Sequence, residues 1–147
     1  MMIRTDAGLK VVQIVAVSYL LMLVAACSSP VATEWITVKD TTPTGDGFVT
    51  YAAPSTIRKT STTVRMWSMI DSKVIQGAAL DRPHLSWIDE WEYDCQGKTL
   101  RPIGFKEYSG KMGTAENVFS ITTPGSQWIA LNPGSVSETL WNMACGK

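Results

Sequence analysis

The sequence is poor in the residues on which much enzyme chemistry rests. It has a single histidine, His84, and no Gly-x-Ser-x-Gly segment, so a serine or cysteine nucleophile lacks an evident base. Its three cysteines, Cys27, Cys95 and Cys145, include no Cys-x-x-Cys spacing, which leaves a zinc site short of ligands. Gly110-Lys111-Met112-Gly113-Thr114 has glycine and lysine without the spacing of a phosphate-binding loop, and it reads as a turn. Charge of one sign is missing as well. With 13 basic and 13 acidic side chains, the chain has no excess positive charge to attract nucleic acid. No catalytic residue, metal or cofactor is expected, and His84 reads as an ordinary loop residue.

What is present begins at the N-terminus. Arg4 and Lys10 precede a run from Val11 to Ala26 that is apolar except for Gln13 and Ser18, the layout of an export signal. The run is slightly shorter than the roughly 20 apolar residues that cross a bilayer. At its end, Leu23-Val24-Ala25-Ala26-Cys27 resembles the bacterial lipoprotein signal, in which small residues precede a cysteine that is acylated and becomes the new N-terminus. Residues 1–26 are therefore expected to be a signal peptide, with Cys27 as the lipidated residue and residues 27–33 as lipidated cysteine and tether. Acyl chains suffice as an anchor, since each buried methylene contributes about 0.8 kcal/mol and two chains hold stably. Ser28 stands where the sorting pattern of such lipoproteins has Asp for inner-membrane retention, so the resemblance implies the outer membrane. The short tether spans on the order of 20 Å when extended, which keeps the domain close to its membrane.

Residues 34–147 suit one domain. With Cys27 assigned to the lipid, Cys95 and Cys145 remain as a pair in an oxidising compartment, and a structural disulfide is the expectation. A metal site and a catalytic thiol are the competing readings.

Glu34 to Val38 is a strand candidate, followed by the turn-rich Thr41 to Gly47. Phe48 to Ala53 resumes as strand, and Pro54-Ser55-Thr56 is expected to break it. Thr62 to Val74 reads as a long strand or hairpin, with a turn or bulge at Asp71-Ser72. From Trp87 to Cys95, Trp91, Tyr93 and Cys95 alternate with Glu90, Glu92 and Asp94, a strand with one buried face. Gln96-Gly97 turns the chain into Lys98 to Ser109, where Arg101, Ile103, Phe105 and Glu107 are expected to share a face. Pro102 marks an edge or a bulge there. Glu116 to Thr122 is a further strand.

Toward the C-terminus the period changes. Asn132-Pro133-Gly134 forms a turn, and Ser135-Val136-Ser137-Glu138 has the capping-box form. Val136, Leu140, Met143 and Ala144 fall on one helical face, Trp141 and Cys145 lie beside it, and Gly146 can end the helix. The expected fold is α+β: an antiparallel sheet of about six strands with one C-terminal helix packed on one face and tethered by the disulfide.

Five segments in order carry a wider resemblance. They are Tyr51 to Arg58, Val64-Arg65-Met66-Trp67, Glu92-Tyr93-Asp94-Cys95, Tyr108 to Gly113, and Pro133-Gly134-Ser135 through Leu140-Trp141 to Lys147. Together they resemble the surface-adhesin protein E family of proteobacterial outer-membrane lipoproteins. The resemblance implies a six-stranded antiparallel sheet, a C-terminal helix held by a disulfide, and adhesion to extracellular-matrix or other cell-surface macromolecules. Matrix binding in such adhesins relies on a basic segment before the Cys-bearing strand. Here Leu80-Asp81-Arg82-Pro83-His84-Leu85 offers only Arg82 as a firm positive charge, so no ligand-binding residue is carried over.

The acidic group Asp89, Glu90, Glu92 and Asp94 raises paired carboxylates or a calcium site; against these, Glu90, Glu92 and Asp94 fall on the polar, solvated face of the strand. The six tryptophans are either a stacking platform or core, with Trp91 and Trp141 expected to be buried. The chain thus reads as a non-enzymatic, lipid-anchored binding module. Its exposed sheet edges can pair with a macromolecular partner or with a second copy as a homodimer. The sequence leaves open whether the domain faces the outside, or the periplasm in a structural or assembly role.

Overall fold

The computed structural model describes residues 33–38, 47–122, 125 and 127–147; Cys27 and the segment before it lie outside the described residues. Among the described residues, seven antiparallel strands form one sheet: β1 (Ile36–Thr37), β2 (Phe48–Lys59), β3 (Thr63–Gln76), β4 (His84–Asp94), β5 (Thr99–Tyr108), β6 (Asn117–Thr122) and β7 (Ile129–Ala130). They lie in chain order from β1 to β6, and β7 pairs with β5 beyond the end of β6. A helix, α1 (Val136–Cys145), follows β7.

β2 does not stop at Pro54. The strand runs on to Lys59, with its register against β3 broken between Ala53 and Arg58. Proline cannot donate to the ladder, and Thr56 bridges the gap. Its hydroxyl donates to the Ala53 carbonyl at 2.6 Å and accepts from the Trp67 amide at 3.1 Å. β3 is a single strand rather than a hairpin, and its register against β4 shifts after Asp71.

β5 carries the most consequential irregularity. Glu90 pairs with Gly104 while the next residue, Trp91, pairs with Pro102, so Ile103 is the extra residue of a bulge. The bulge sends Arg101 to one face of the sheet, opposite Glu92, and Phe105 and Glu107 to the other, opposite Asp89 and Trp87. The uninterrupted alternation expected from sequence, with Arg101, Phe105 and Glu107 together, is thereby corrected.

The helix begins as its residues dictate. Ser135 caps it by accepting from the Glu138 amide at 3.2 Å, and the Glu138 carboxylate accepts from the Gly134 amide at 2.7 Å. Gly146 ends it in the left-handed conformation, φ +69°. A ten-residue helix is marginal alone, and here it packs Leu140, Trp141 and Ala144 onto Ala52, Val64, Met66, Tyr93 and Leu100. Burying a side chain as large as Leu140 stabilises by about 1.5–3 kcal/mol. The Cys95–Cys145 disulfide, Cα atoms 5.6 Å apart, ties the last turn of α1 to the end of β4. Trp141 is buried as expected, whereas Trp91 is only partly buried.

The opposite face is covered differently. The loop Gly110 to Thr114 lies over Met69, Ile88 and Ser86, where Ser86 Oγ donates to the Gly110 carbonyl at 2.7 Å and accepts from the Gly113 amide at 2.9 Å. Gly113 is confined there: a Cβ on it would come within 2.8 Å of Ile88 Cδ1.

Candidate functional site

Glu92 is the clearest departure from the expected solvated strand face. It is 4 % exposed, flanked on its own face by Arg65 on β3 and Arg101 on β5. Arg65 Nε donates to Oε1 at 3.1 Å, Arg101 Nε donates to Oε2 at 2.6 Å, and Thr63 adds a hydroxyl at 3.2 Å. Burial pushes the Glu92 carboxyl up, but the hydrogen bonds and charges of Arg101 and Arg65 outweigh that and hold it below its ordinary value. This is a structural carboxylate with its acceptors filled. Asp94 is held low by the amides of Gly97 and Gln96, which places it in the β4–β5 turn. Among the described residues, no group of three His, Cys, Asp or Glu side chains converges to hold a metal.

The helix-bearing face is where unfilled chemistry gathers. α1 covers only one end of it, and two adjacent cavities of about 370 and 260 Å³ open along the rest. The larger is bounded by Trp87, Phe105, His84, Glu107 and the short 3-10 turn Ala78–Leu80; the smaller lies against the first turn of α1, with Tyr93, Trp91 and Ser68. Asp89 lines both.

His84, read from sequence as a loop residue, is the buried first residue of β4. Its Nδ1 lies 2.9 Å from the Arg82 carbonyl, to which it donates, and 3.7 Å from Glu107 Oε2. That carboxylate oxygen is buried without a hydrogen bond, although Arg82 Nη1 approaches to 3.6 Å. Arg82 also lies 4.0 Å over the Phe119 ring, and Trp87 meets both Phe48 and His84 edge-on at 5.6 Å. The Asp89 side chain makes no hydrogen bond or ion pair among the described residues, and burial pushes its carboxyl up to about 7. The Tyr93 hydroxyl is likewise buried without a partner, and burial followed by the Asp89 charge raises its pKa.

Of the residues singled out in the sequence, Cys95 and Cys145 are brought together, and Cys27 lies outside the described residues. Asp89 stands on the face opposite Glu90, Glu92 and Asp94, so the acidic run forms no single cluster. Sequence reasoning found no ligand-facing residue; the alternation of Trp87, Asp89 and Trp91 on one face was the available signal.

The disulfide-pinned sheet and helix thus present an open, aromatic-lined cleft on one face, of the kind that takes up a ligand or partner group. The chain belongs to the surface-adhesin protein E family, whose sequence profile matches residues 35–146. A crystal structure of Haemophilus influenzae protein E superposes with a TM-score of 0.54 at 12 % identity, over 66 % of this chain and 80 % of that one. At that identity the likeness establishes the fold. A second structure, protein E from non-typeable Haemophilus influenzae, gives a TM-score of 0.46 at 13 % identity, over 76 % and 81 %. No curated protein sequence matches the chain.

Proposed function

We propose that this protein is a lipid-anchored outer-membrane binding module that engages a macromolecular partner at the cell surface, without catalysing a reaction. Family membership carries the reading, and the surface agrees with it. Among the described residues the sheet is covered at only one end of its helix-bearing face, and Val74, Ile75 and Leu80 stand 57–66 % exposed around the end of β3 and the 3-10 turn. Exposed apolar side chains gathered beside a cleft are the composition of an interaction surface. Residues 1–26 act as the export signal in this reading, Cys27 carries the acyl chains, and residues 34–147 form the binding domain. Among the described residues no helix is long and apolar enough to cross a membrane, and acylation supplies the attachment.

Protease treatment of intact cells carrying the full chain tests exposure, and fractionation of the Cys27→Ala variant tests the anchor. Degradation on intact cells and release of the variant from membranes are the expected results. Protection until the outer membrane is broken would assign the domain to an inward-facing role, and salt-resistant membrane retention of Cys27→Ala would remove the lipid from the account.

A further inference from the structure

The cleft on the helix-bearing face has a specific chemistry that the adhesin reading does not use. Asp89 rises from the middle of β4 with Trp87 and Trp91 two positions to either side on the same face, and Phe105 is its cross-strand partner on β5. A carboxylate is thus set among three aromatic side chains. Glu107, diagonal to it at about 7–8 Å by sheet geometry, adds a second carboxylate, its side chain 10 % exposed, whose buried Oε2 has ion-pair neighbours but no hydrogen bond among the described residues. Buried acceptors are normally filled. Aromatic faces and carboxylates share one preference, for positive charge on an apolar stem.

We propose that this cleft is a recognition site for an organic cation, an ammonium or guanidinium group, with Asp89 as the counter-charge and Trp87, Trp91 and Phe105 as its walls. The larger cavity, about 370 Å³, has the size of a small-ligand site. Arg82 and His84 flank Glu107, which leaves Asp89 as the carboxylate with no cation of its own. The site stands whether or not the surrounding surface is adhesive.

The proposal also sets a pH dependence. Asp89 is protonated over part of the neutral range, so a cation displaces its proton and binds more tightly as pH rises through about 7. The ionisable groups around it are His84 and Tyr93 on β4 and Glu107 on β5, with Arg82 behind Glu107; among the described lining residues β2, β3 and α1 contribute no ionisable side chain, Thr50, Ser68 and Gln76 being their polar members on the two strands.

The full-length chain in a non-ionic detergent is titrated calorimetrically with choline, with agmatine, and with 3,3-dimethylbutan-1-ol, the uncharged isostere of choline. At least one cation is expected to bind about tenfold or more tightly than the alcohol, the size of one charge-assisted contact. Asp89→Asn, which keeps the shape of the side chain and whose folding is checked by circular dichroism, is expected to abolish both that preference and its rise with pH. Glycerophosphocholine and N-acetylarginine amide then compete with the bound probe. Displacement by the first points to a lipid head-group as the source of the cation, and by the second to a protein side chain. Binding of the alcohol as tight as that of the cations, cation affinity unchanged in folded Asp89→Asn, or no binding of either cation would overturn the proposal.

Discussion

The indole N–H of Trp141 donates to the carbonyl of Asp94 at 2.9 Å, so the helix is fastened to the end of β4 beside the disulfide that already joins Cys145 to Cys95. The two ties have different physical origins. The disulfide restricts the unfolded chain across 50 positions, while the indole satisfies a carbonyl at the sheet end and buries a large ring.

Replacing both Cys95 and Cys145 with serine is expected to lower stability by about 2–4 kcal/mol, and Trp141→Phe by about 1 kcal/mol. Urea denaturation with and without reductant checks this. Reductant should reproduce the double serine variant and leave that variant itself unmoved.

Asp89 and Glu92 are expected to respond to pH with opposite signs. The folded state holds the Asp89 proton up to about 7, where an unfolded chain near 3.8 has already lost it. Stability therefore falls between about pH 4 and 7 on account of this group, and the penalty is complete above 7. Asp89→Asn should stabilise by about 2 kcal/mol at pH 8, a figure reduced for partial exposure, and by nothing at pH 3.5. Thermal unfolding across pH measures the difference.

Glu92 is held below its ordinary value, so its contribution is present above pH 4.5 and disappears as acid protonates it. Glu92→Gln is expected to cost about 1–2 kcal/mol at pH 7, because Arg65 and Arg101 remain partly hydrated and lose only part of their compensation. The same pH series should show that cost vanishing in acid. A Glu92→Gln protein as stable as the parent at pH 7 would mean that the arginines contribute nothing net.

Gly77 supports one wall of the cleft. Its φ is +69°, and a Cβ there would lie 2.3 Å from the Arg82 carbonyl and 2.7 Å from His84 Nδ1. Gly77→Ala is expected to destabilise by about 1–3 kcal/mol and to displace His84. Hydrogen exchange reports it directly, since the Leu80 and Arg82 amides donate to the Gly77 carbonyl at 3.0 and 3.1 Å and should lose protection first.

Much of this architecture was written in short-range patterns. The Ser135–Glu138 cap, the Gly146 stop and the β4 alternation are properties of neighbouring residues, and the Cys95–Cys145 pairing followed from parity once Cys27 was set aside. Local rules failed where a distant residue supplied the missing group. Pro54 reads as a break because nothing nearby shows Thr56 replacing a ladder bond with Trp67. Glu92 reads as solvated because Arg65 lies 27 positions away and Arg101 reaches it only after the bulge at Ile103 has turned that residue to the same face.

By itself, then, the sequence determined most of the element types, the helix boundaries and the cysteine partners, since each depends on contacts within a turn or on simple counting. Tertiary structure alone decided the burial of Glu92, the face of Arg101 and the existence of the cleft. Those depend on strand register, which one inserted residue reverses, and on how far a ten-residue helix reaches across a wider sheet before it leaves Asp89 and its aromatic neighbours uncovered.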